Sequence, residues 1–366
     1  MIYKHRSVID DLEVYVPGRP IEDVKREFGL ERVVKLASNE NPYGFSPMAR
    51  EAVMDCFNGA AVYPDGNCTA LREALAKKYG APLQNFIFGA GADEIIAMLG
   101  KVFIEEGDEC VTAEITFSQY AASVLSMGGK MVYAPMKRDY GHDLDLMAAL
   151  ITDRTRLIFI ANPNNPTGMI HTQREQEEFM KKVPKGCVVV FDQAYAEFVD
   201  DVNYPDTFGM IKQYDNIVYM KTFSKAYGLA SFRVGYAIAS PEVIGLMERV
   251  RCPFNVSLQG QAAALAALAD TGFLNDSIIK NKEIKEFTLK KLTEMNFECL
   301  PTQANFIMVN VKRDSRQVFV ELMKRGYIIR PGAAFGMDEF IRITLGTMEE
   351  MEGFFCALDE VLSLKE

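Results

Sequence analysis

Along most of this chain, short apolar runs alternate with stretches of helical period. Phe86-Ile-Phe88, Glu109 to Ala113, Lys130 to Ala134, Leu157 to Ala161, Cys187 to Phe191, Ile217 to Met220 and Val234 to Ala239 have the length and β-branched content of strands. Continuous apolar strands separated by helices predict an α/β fold with a mostly parallel central sheet flanked by helices. In such sheets functional loops gather beyond the carboxyl ends of the strands, and Asn162, Asp192 and Lys225 each stand at or just past the end of a run. Val33 to Ala37 reads as a further strand, and Thr69 to Tyr79 as an amphipathic helix stopped by Gly80. Past Pro241 the pattern turns helical, alanine-rich from Gln259 to Leu268. The last quarter interleaves Phe297 to Leu300, Asn305 to Val311, Tyr327 to Arg330 and Phe340 to Leu345 with helix-like Gln317 to Lys324 and Met348 to Leu364, which predicts a smaller α+β domain. The expected division is an arm over 1–32, turn-prone and extended at Tyr15-Val-Pro-Gly-Arg-Pro20, a large domain over 33–270 and a small one over 271–366.

Composition narrows the class. A chain of 366 residues exceeds one compact core, which agrees with two domains. Lys plus Arg total 40 against 50 acidic residues, and this net charge of −10 without basic blocks argues against nucleic acid and anionic membranes as partners. Charges throughout Met1 to Asp11 make a secretory signal unexpected, and no apolar run approaches the roughly 20 residues that span a bilayer. Seven cysteines, odd in number and without close pairs, point to reduced thiols and a cytoplasmic location. His5, His142 and His171 are far apart and near no cysteine cluster, so no metal site is expected.

Four stretches carry candidate chemistry. Thr222-Phe-Ser-Lys-Ala-Tyr-Gly-Leu-Ala-Ser-Phe-Arg-Val-Gly-Tyr236 places Lys225 on a tight connection between two buried strands, expected at the edge of a sheet. Partial desolvation and Arg233 would make that lysine nucleophilic toward carbonyls, and Thr222, Ser224 and Arg233 also suit a phosphate; a solvated loop lysine is the plain alternative. Phe88-Gly-Ala-Gly-Ala-Asp-Glu94 is a glycine turn opening a helix, hence a place for a single phosphate, or only a capped turn. Ala161-Asn-Pro-Asn-Asn-Pro-Thr-Gly168 fixes a rigid polar loop after a buried strand. Asp192-Gln-Ala-Tyr195 leaves a carboxylate where the chain would otherwise be apolar; it caps the next turn or pairs with a cation such as a protonated aromatic nitrogen. Ser38-Asn-Glu-Asn-Pro-Tyr-Gly44 reads as a turn.

In this order and at these separations the stretches resemble the fold-type I pyridoxal phosphate enzymes of the aspartate-aminotransferase-like superfamily, over nearly the whole chain. Tyr15-Val-Pro-Gly, Val34 to Gly44, Tyr63-Pro, Gly91-Ala-Asp-Glu94, Thr116-Phe-Ser-Gln-Tyr120, Ile328-Ile-Arg-Pro331 and Phe340-Ile-Arg-Ile-Thr-Leu-Gly346 are similar to the histidinol-phosphate aminotransferase family of L-histidine biosynthesis. The resemblance implies that Lys225 holds pyridoxal 5'-phosphate as a Schiff base and serves as the proton-transfer base. It implies that Asp192 pairs with the pyridine nitrogen and that Asn165 and Tyr195 bond the ring oxygen. Phe117 would stack on the ring, while Ala92, Asp93, Thr222, Ser224 and Arg233 would hold the phosphate, joined by Tyr63 from the partner subunit of a homodimer. Arg342 would take the α-carboxylate of glutamate or 2-oxoglutarate, and Arg330 with the partner's Tyr15 the phosphate of histidinol phosphate. The chain departs from the pattern at Glu114-Ile-Thr116, where relatives often carry a proline, and at Val14. An aromatic amino-acid aminotransferase of the same fold, a nicotinamide-dependent dehydrogenase built on the glycine turn and a non-catalytic fold relative are the alternatives. The dehydrogenase fingerprint lacks its third glycine.

Overall fold

The computed structural model describes residues 3–10, 12, 14 and 18–364. Its strands, in chain order, are β1 (Val34–Lys35), β2 (Phe86–Ala90), β3 (Glu109–Ala113), β4 (Lys130–Ala134), β5 (Thr155–Ala161), β6 (Val188–Asp192), β7 (Ile217–Thr222), β8 (Val234–Ile238), β9 (Glu298–Cys299), β10 (Phe306–Asn310), β11 (Tyr327–Ile328), β12 (Arg330–Pro331) and β13 (Phe340–Thr344). One sheet runs in the order β2-β8-β7-β6-β5-β3-β4. From β7 to β4 every neighbour pairs in parallel, whereas β8 runs against both β7 and β2.

Alternate residues of a strand face opposite sides of the sheet. Val188 and Val190 join Phe159, Val218 and Met220 on one face beneath Ile95, Leu99 and Val124. Val189, Phe191, Ile158 and Ile160 face the other way, against Met147 and Phe179. Burial on both sides explains why these strands read as unbroken apolar runs, each large side chain contributing about 1.5–3 kcal/mol of transfer free energy. The same phase carries Asp192 and Thr222 onto the first face at the carboxyl ends of β6 and β7.

The connection bearing Lys225 does not lie at the sheet's edge, as expected from the sequence. β8 reverses direction and inserts between β7 and β2, so both strands flanking that connection have neighbours on either side. Hydrophobic period does not encode strand direction, and the reversal leaves no mark in it.

A second sheet, β12-β13-β10-β9, is antiparallel. Ile284, Leu322, Phe354 and Leu358 from helices Thr271–Glu294, Ser315–Lys324 and Met348–Ser363 cover it. The run Tyr327 to Arg330, expected as one strand, divides: β11 pairs in parallel with β1, and β12 pairs with β13. Ile328 packs beside Val24 and Met323, and Ile329 beside Ile341 and Leu358, so the backbone changes partner between two cores. The arm also holds a helix, Ile21–Phe28, beyond its extended segment. Pro20 precedes it, Glu22 and Asp23 occupy its first turn, and Gly29 ends it at φ +67°, all start and stop signals present in the sequence.

Loop 38–44 and the Lys225 connection touch closely. Gly228 has φ +72°, and a Cβ there would lie 1.9 Å from the Gly44 carbonyl oxygen. Gly228→Ala therefore combines left-handed strain with a backbone clash, and we expect a loss of about 2–4 kcal/mol, read as a lower urea midpoint. A midpoint equal to that of the unmodified chain would show that the two loops separate freely.

Candidate active site

A cavity of about 600 Å³ lies between the carboxyl ends of the large sheet and β12–β13. Ala92, Asp93, Phe117, Asn165, Asp192, Tyr195, Thr222, Ser224, Lys225, Arg233, Arg330 and Arg342 all line it, so most residues singled out from the sequence meet there.

Asp192 forms its floor and is only 7% exposed. Its Oδ2 accepts from the Tyr120 hydroxyl at 2.8 Å and its Oδ1 from the Ala194 N–H at 3.1 Å. Burial nonetheless pushes the carboxyl up to about 6, with Asp93 adding repulsion and Tyr120, Ala194 and Lys225 opposing. Tyr120 is fully buried and stacked on Phe159 at 4.5 Å, and burial beside Asp192 holds its phenol well above the usual range, so it remains a donor. Among the described residues no side-chain cation forms an ion pair with Asp192.

Lys225 Nζ donates to the Ser38 carbonyl at 2.9 Å and stands 5.7 Å from the centroid of the Tyr195 ring. The Tyr195 hydroxyl accepts from Asn39 Nδ2 at 2.9 Å.

The anion end is built on helix Ala92–Phe103, whose first-turn amides point out of the helix without intrahelical acceptors. Gly91 precedes it at φ +82°, and a Cβ there would sit 2.4 Å from Arg233 Nη2. Only glycine lets that guanidinium lie across the helix start. Arg233, itself at φ +53°, pairs with Asp93 at 3.1 Å, so the Asp93 carboxylate engages the arginine as well as opening the helix. Thr222 Oγ1 donates to Ser224 Oγ at 3.0 Å and accepts the Ser224 N–H at 3.1 Å.

The polar Asn-Pro loop is held at several points. Asn162 Oδ1 accepts the His171 N–H at 3.1 Å, and burial lowers the His171 ring to about 4, keeping it neutral. Asn164 accepts from Thr116 Oγ1 at 2.9 Å and donates to Ile115 O at 2.9 Å, which ties the divergent Glu114-Ile-Thr116 segment to it. Asn165 Oδ1 accepts from Arg342 Nη1 at 2.5 Å, and Arg342 Nη2 donates to Ala37 O at 2.6 Å. Arg342 is directly opposite Arg330 in the β12–β13 ladder, and Phe335 lies 5.5 and 5.9 Å from the two guanidinium carbons. Like charges across a ladder repel, and an anion between them would remove that cost.

Tyr63 does not line the cavity: it is 79% exposed and stacks on Phe254 at 4.7 Å. Tyr15 lies outside the described residues. Nothing in the sequence assigns a role to Tyr120, Asn39, Ser38 or Phe335. Tyr120 and Asn39 do stand inside motifs noted there, but a long-range hydrogen bond leaves no spacing signature.

The donors fit one kind of guest: a flat ring with a phosphate at the helix start, a cationic ring atom over Asp192 and a carbonyl carbon within reach of Lys225. The buried Asp192 carboxyl, only partly offset by its hydrogen bonds, and the Gly91 cradle are the observations that match pyridoxal phosphate.

Comparison with known proteins agrees. The family model for aminotransferases of class I and II matches residues 31–358. The histidinol-phosphate aminotransferase of Moorella thermoacetica is 46% identical over 361 residues, covering 98% of this chain and 93% of the relative. That of Caldicellulosiruptor saccharolyticus is 45% identical over 357 residues, covering 98% and 99%. Among solved structures, the Sinorhizobium meliloti histidinol-phosphate aminotransferase in complex with pyridoxal-5'-phosphate superimposes with a TM-score of 0.91 at 27% identity, covering 99% of this chain and 98% of that one. Thermus thermophilus aspartate aminotransferase with maleate gives 0.86 at 19% identity and 99% coverage of each chain, a likeness of fold.

The Asp192 carboxyl makes a prediction that needs no ligand. Its folded value of about 6 exceeds the ordinary 3.8, so between these values the folded protein holds more protons than the unfolded one. Stability from this group is therefore present below about pH 4 and lost as pH rises to about 6, by about 3 kcal/mol in total. In the apoprotein, the Tm of Asp192→Asn should gain on that of the unmodified chain across this window and then level off. A pH-independent gap would mean that Asp192 titrates normally.

Proposed function

The chain belongs to the aminotransferase class I and II family, and on that premise we propose that it is a pyridoxal phosphate-dependent histidinol-phosphate aminotransferase, exchanging an amino group between L-histidinol phosphate and 2-oxoglutarate in histidine biosynthesis. The observation that carries the substrate is the cross-strand pair Arg330 and Arg342 at the mouth of the cavity. Two guanidinium groups side by side suit a phosphate dianion, and Arg342 alone, a planar fork, suits the carboxylate of glutamate.

When bound, pyridoxal phosphate supplies the electron sink that allows the Cα–H bond of the substrate to break. Asp192, held by Tyr120 and Ala194 at its two oxygens, would pair with the protonated ring nitrogen. Lys225 would attach the group, and its Nζ would serve as the base that takes the proton from the substrate Cα. The turn from Ser38 holds Nζ near the strand ends meanwhile. The Ala92 and Asp93 amides with Thr222, Ser224 and Arg233 would hold the phosphate, Phe117 would pack on the ring, and Asn165 and Tyr195 would donate to its ring oxygen.

Exposed Tyr63 and the segment around Tyr15 act in this reading on the neighbouring subunit of a homodimer, Tyr63 on the cofactor phosphate and Tyr15 on the substrate phosphate. Among the described residues, no single helix is long and apolar enough to cross a membrane.

Two measurements test the proposal. Added pyridoxal phosphate should give a visible absorbance band that Lys225→Ala abolishes; a band that survives unchanged in that variant removes the lysine from its role. Initial rates with histidinol phosphate and phenylalanine, each with 2-oxoglutarate, should favour the former. Arg330→Ala should lower kcat/KM for histidinol phosphate by roughly 10- to 100-fold, and for phenylalanine by much less. Equal losses would return Arg330 to a surface role, and faster turnover of phenylalanine would make the chain an aromatic amino-acid aminotransferase.

A further inference from the structure

Asn39 is 1% exposed and engages every one of its polar groups. Its N–H donates to Thr344 Oγ1 at 2.9 Å, and its Oδ1 accepts from that hydroxyl at 2.9 Å. Its Nδ2 donates to the Tyr195 hydroxyl at 2.9 Å, and its carbonyl accepts from Asn305 Nδ2 at 3.1 Å. The direction of each bond follows from counting hydrogens. Thr344 has one hydroxyl hydrogen and spends it on Asn39 Oδ1, so the amide oxygen faces Thr344 and the amide nitrogen faces Tyr195. An amide nitrogen only donates. The phenol oxygen must therefore accept there, which leaves its own hydrogen available to another acceptor.

Thr344 stands two residues beyond Arg342 on β13, on the same face of the strand. Arg342 meanwhile takes the Oδ1 of Asn165, which turns the amide nitrogen of that residue away from the arginine. One strand thus sets the polarity of both groups assigned to the ring oxygen. The loop carrying Asn39 is the connecting piece, and Asn39 holds φ +56° there.

We propose that Thr344, acting through Asn39, is a positioning residue that makes the Tyr195 hydroxyl a hydrogen-bond donor toward the ring oxygen of bound pyridoxal phosphate, coupling β13 to the proton affinity of the Lys225 adduct. This rests on reading the cavity as a pyridoxal phosphate site. The relay has two links, Thr344 to Asn39 and Asn39 to Tyr195, and each can be cut separately. Thr344→Val keeps the shape and removes the hydroxyl, freeing the Asn39 amide to turn over. Asn39→Asp replaces the donor facing Tyr195 by an acceptor, which draws the phenol hydrogen away from the cavity.

The test is a titration of the visible band of the holoenzyme without substrate. Tyr195→Phe defines the full effect on the midpoint. Thr344→Val and Asn39→Asp should each move the midpoint in the same direction, by about half a pH unit or more. Thr344→Ser, which retains the hydroxyl, should restore it. In the Tyr195→Phe background Thr344→Val should add nothing, and in the apoprotein the Tm losses of those two changes should be less than additive. Unmoved midpoints in both Thr344→Val and Asn39→Asp overturn the proposal, as does a Thr344→Val shift that persists undiminished without the Tyr195 hydroxyl. Should Thr344→Val not fold, Asn39→Asp decides alone. A wild-type protein that shows no Lys225-dependent band rejects the cofactor reading itself, an outcome seen before any relay variant is compared.

Discussion

A carboxylate buried at the end of a parallel strand, with no ion-pair partner among the described residues, is the constraint on which the cavity depends. Asp192 reaches that position because it continues the row Val188, Val190 on a face covered by helices, where little water reaches it. Two hydrogen bonds offset part of the desolvation and leave the group near 6. A buried carboxylate of this kind is mostly ionised at neutral pH at a cost in desolvation, an instability that a cationic partner relieves. In the proposed function that instability is the affinity for a protonated ring nitrogen, and Tyr120, clamped on Phe159, prevents the carboxylate from turning away to water.

Strand positions were legible in the sequence, both for the buried strands and for the partly exposed edge strand β4. β3 and β4 match the expected runs to the residue, and β5 to β8 to within two. Partnership was not legible. The antiparallel course of β8 and the division of Tyr327 to Arg330 between two sheets depend on which surface each residue meets after the chain has folded back, and an apolar run looks the same in either case. The helix Ile21–Phe28 is a different kind of omission, since its proline start, acidic first turn and glycine stop are local signals.

The candidate site follows the same division. Residues placed by local rules, such as Lys225 on a tight connection, Ala92 and Asp93 at the start of a helix or Asp192 closing a strand, could be named from the sequence and do line one cavity. Tyr120 and Asn39 reach it by hydrogen bonds spanning 72 and 156 residues, and neither has a neighbour in sequence that calls for it. Loop 38–44 read as a turn for that reason. Its backbone and side chains in fact meet Lys225, Tyr195, Thr344 and Gly228 at once.

Charge is distributed in the cavity as two positive ends around a negative floor. Arg233 at one end already has a carboxylate, Asp93, in contact, so a guest phosphate there would compete with an existing pair and would gain chiefly from the helix amides. At the other end Arg330 and Arg342 face each other across a ladder with aromatic rings beneath them. In the proposed function a guest with a dianion for the arginine pair would gain more than one carrying a single carboxylate, so the choice between a phosphate ester and an aromatic amino acid would turn on β12 and β13 while the lysine connection would be indifferent to it.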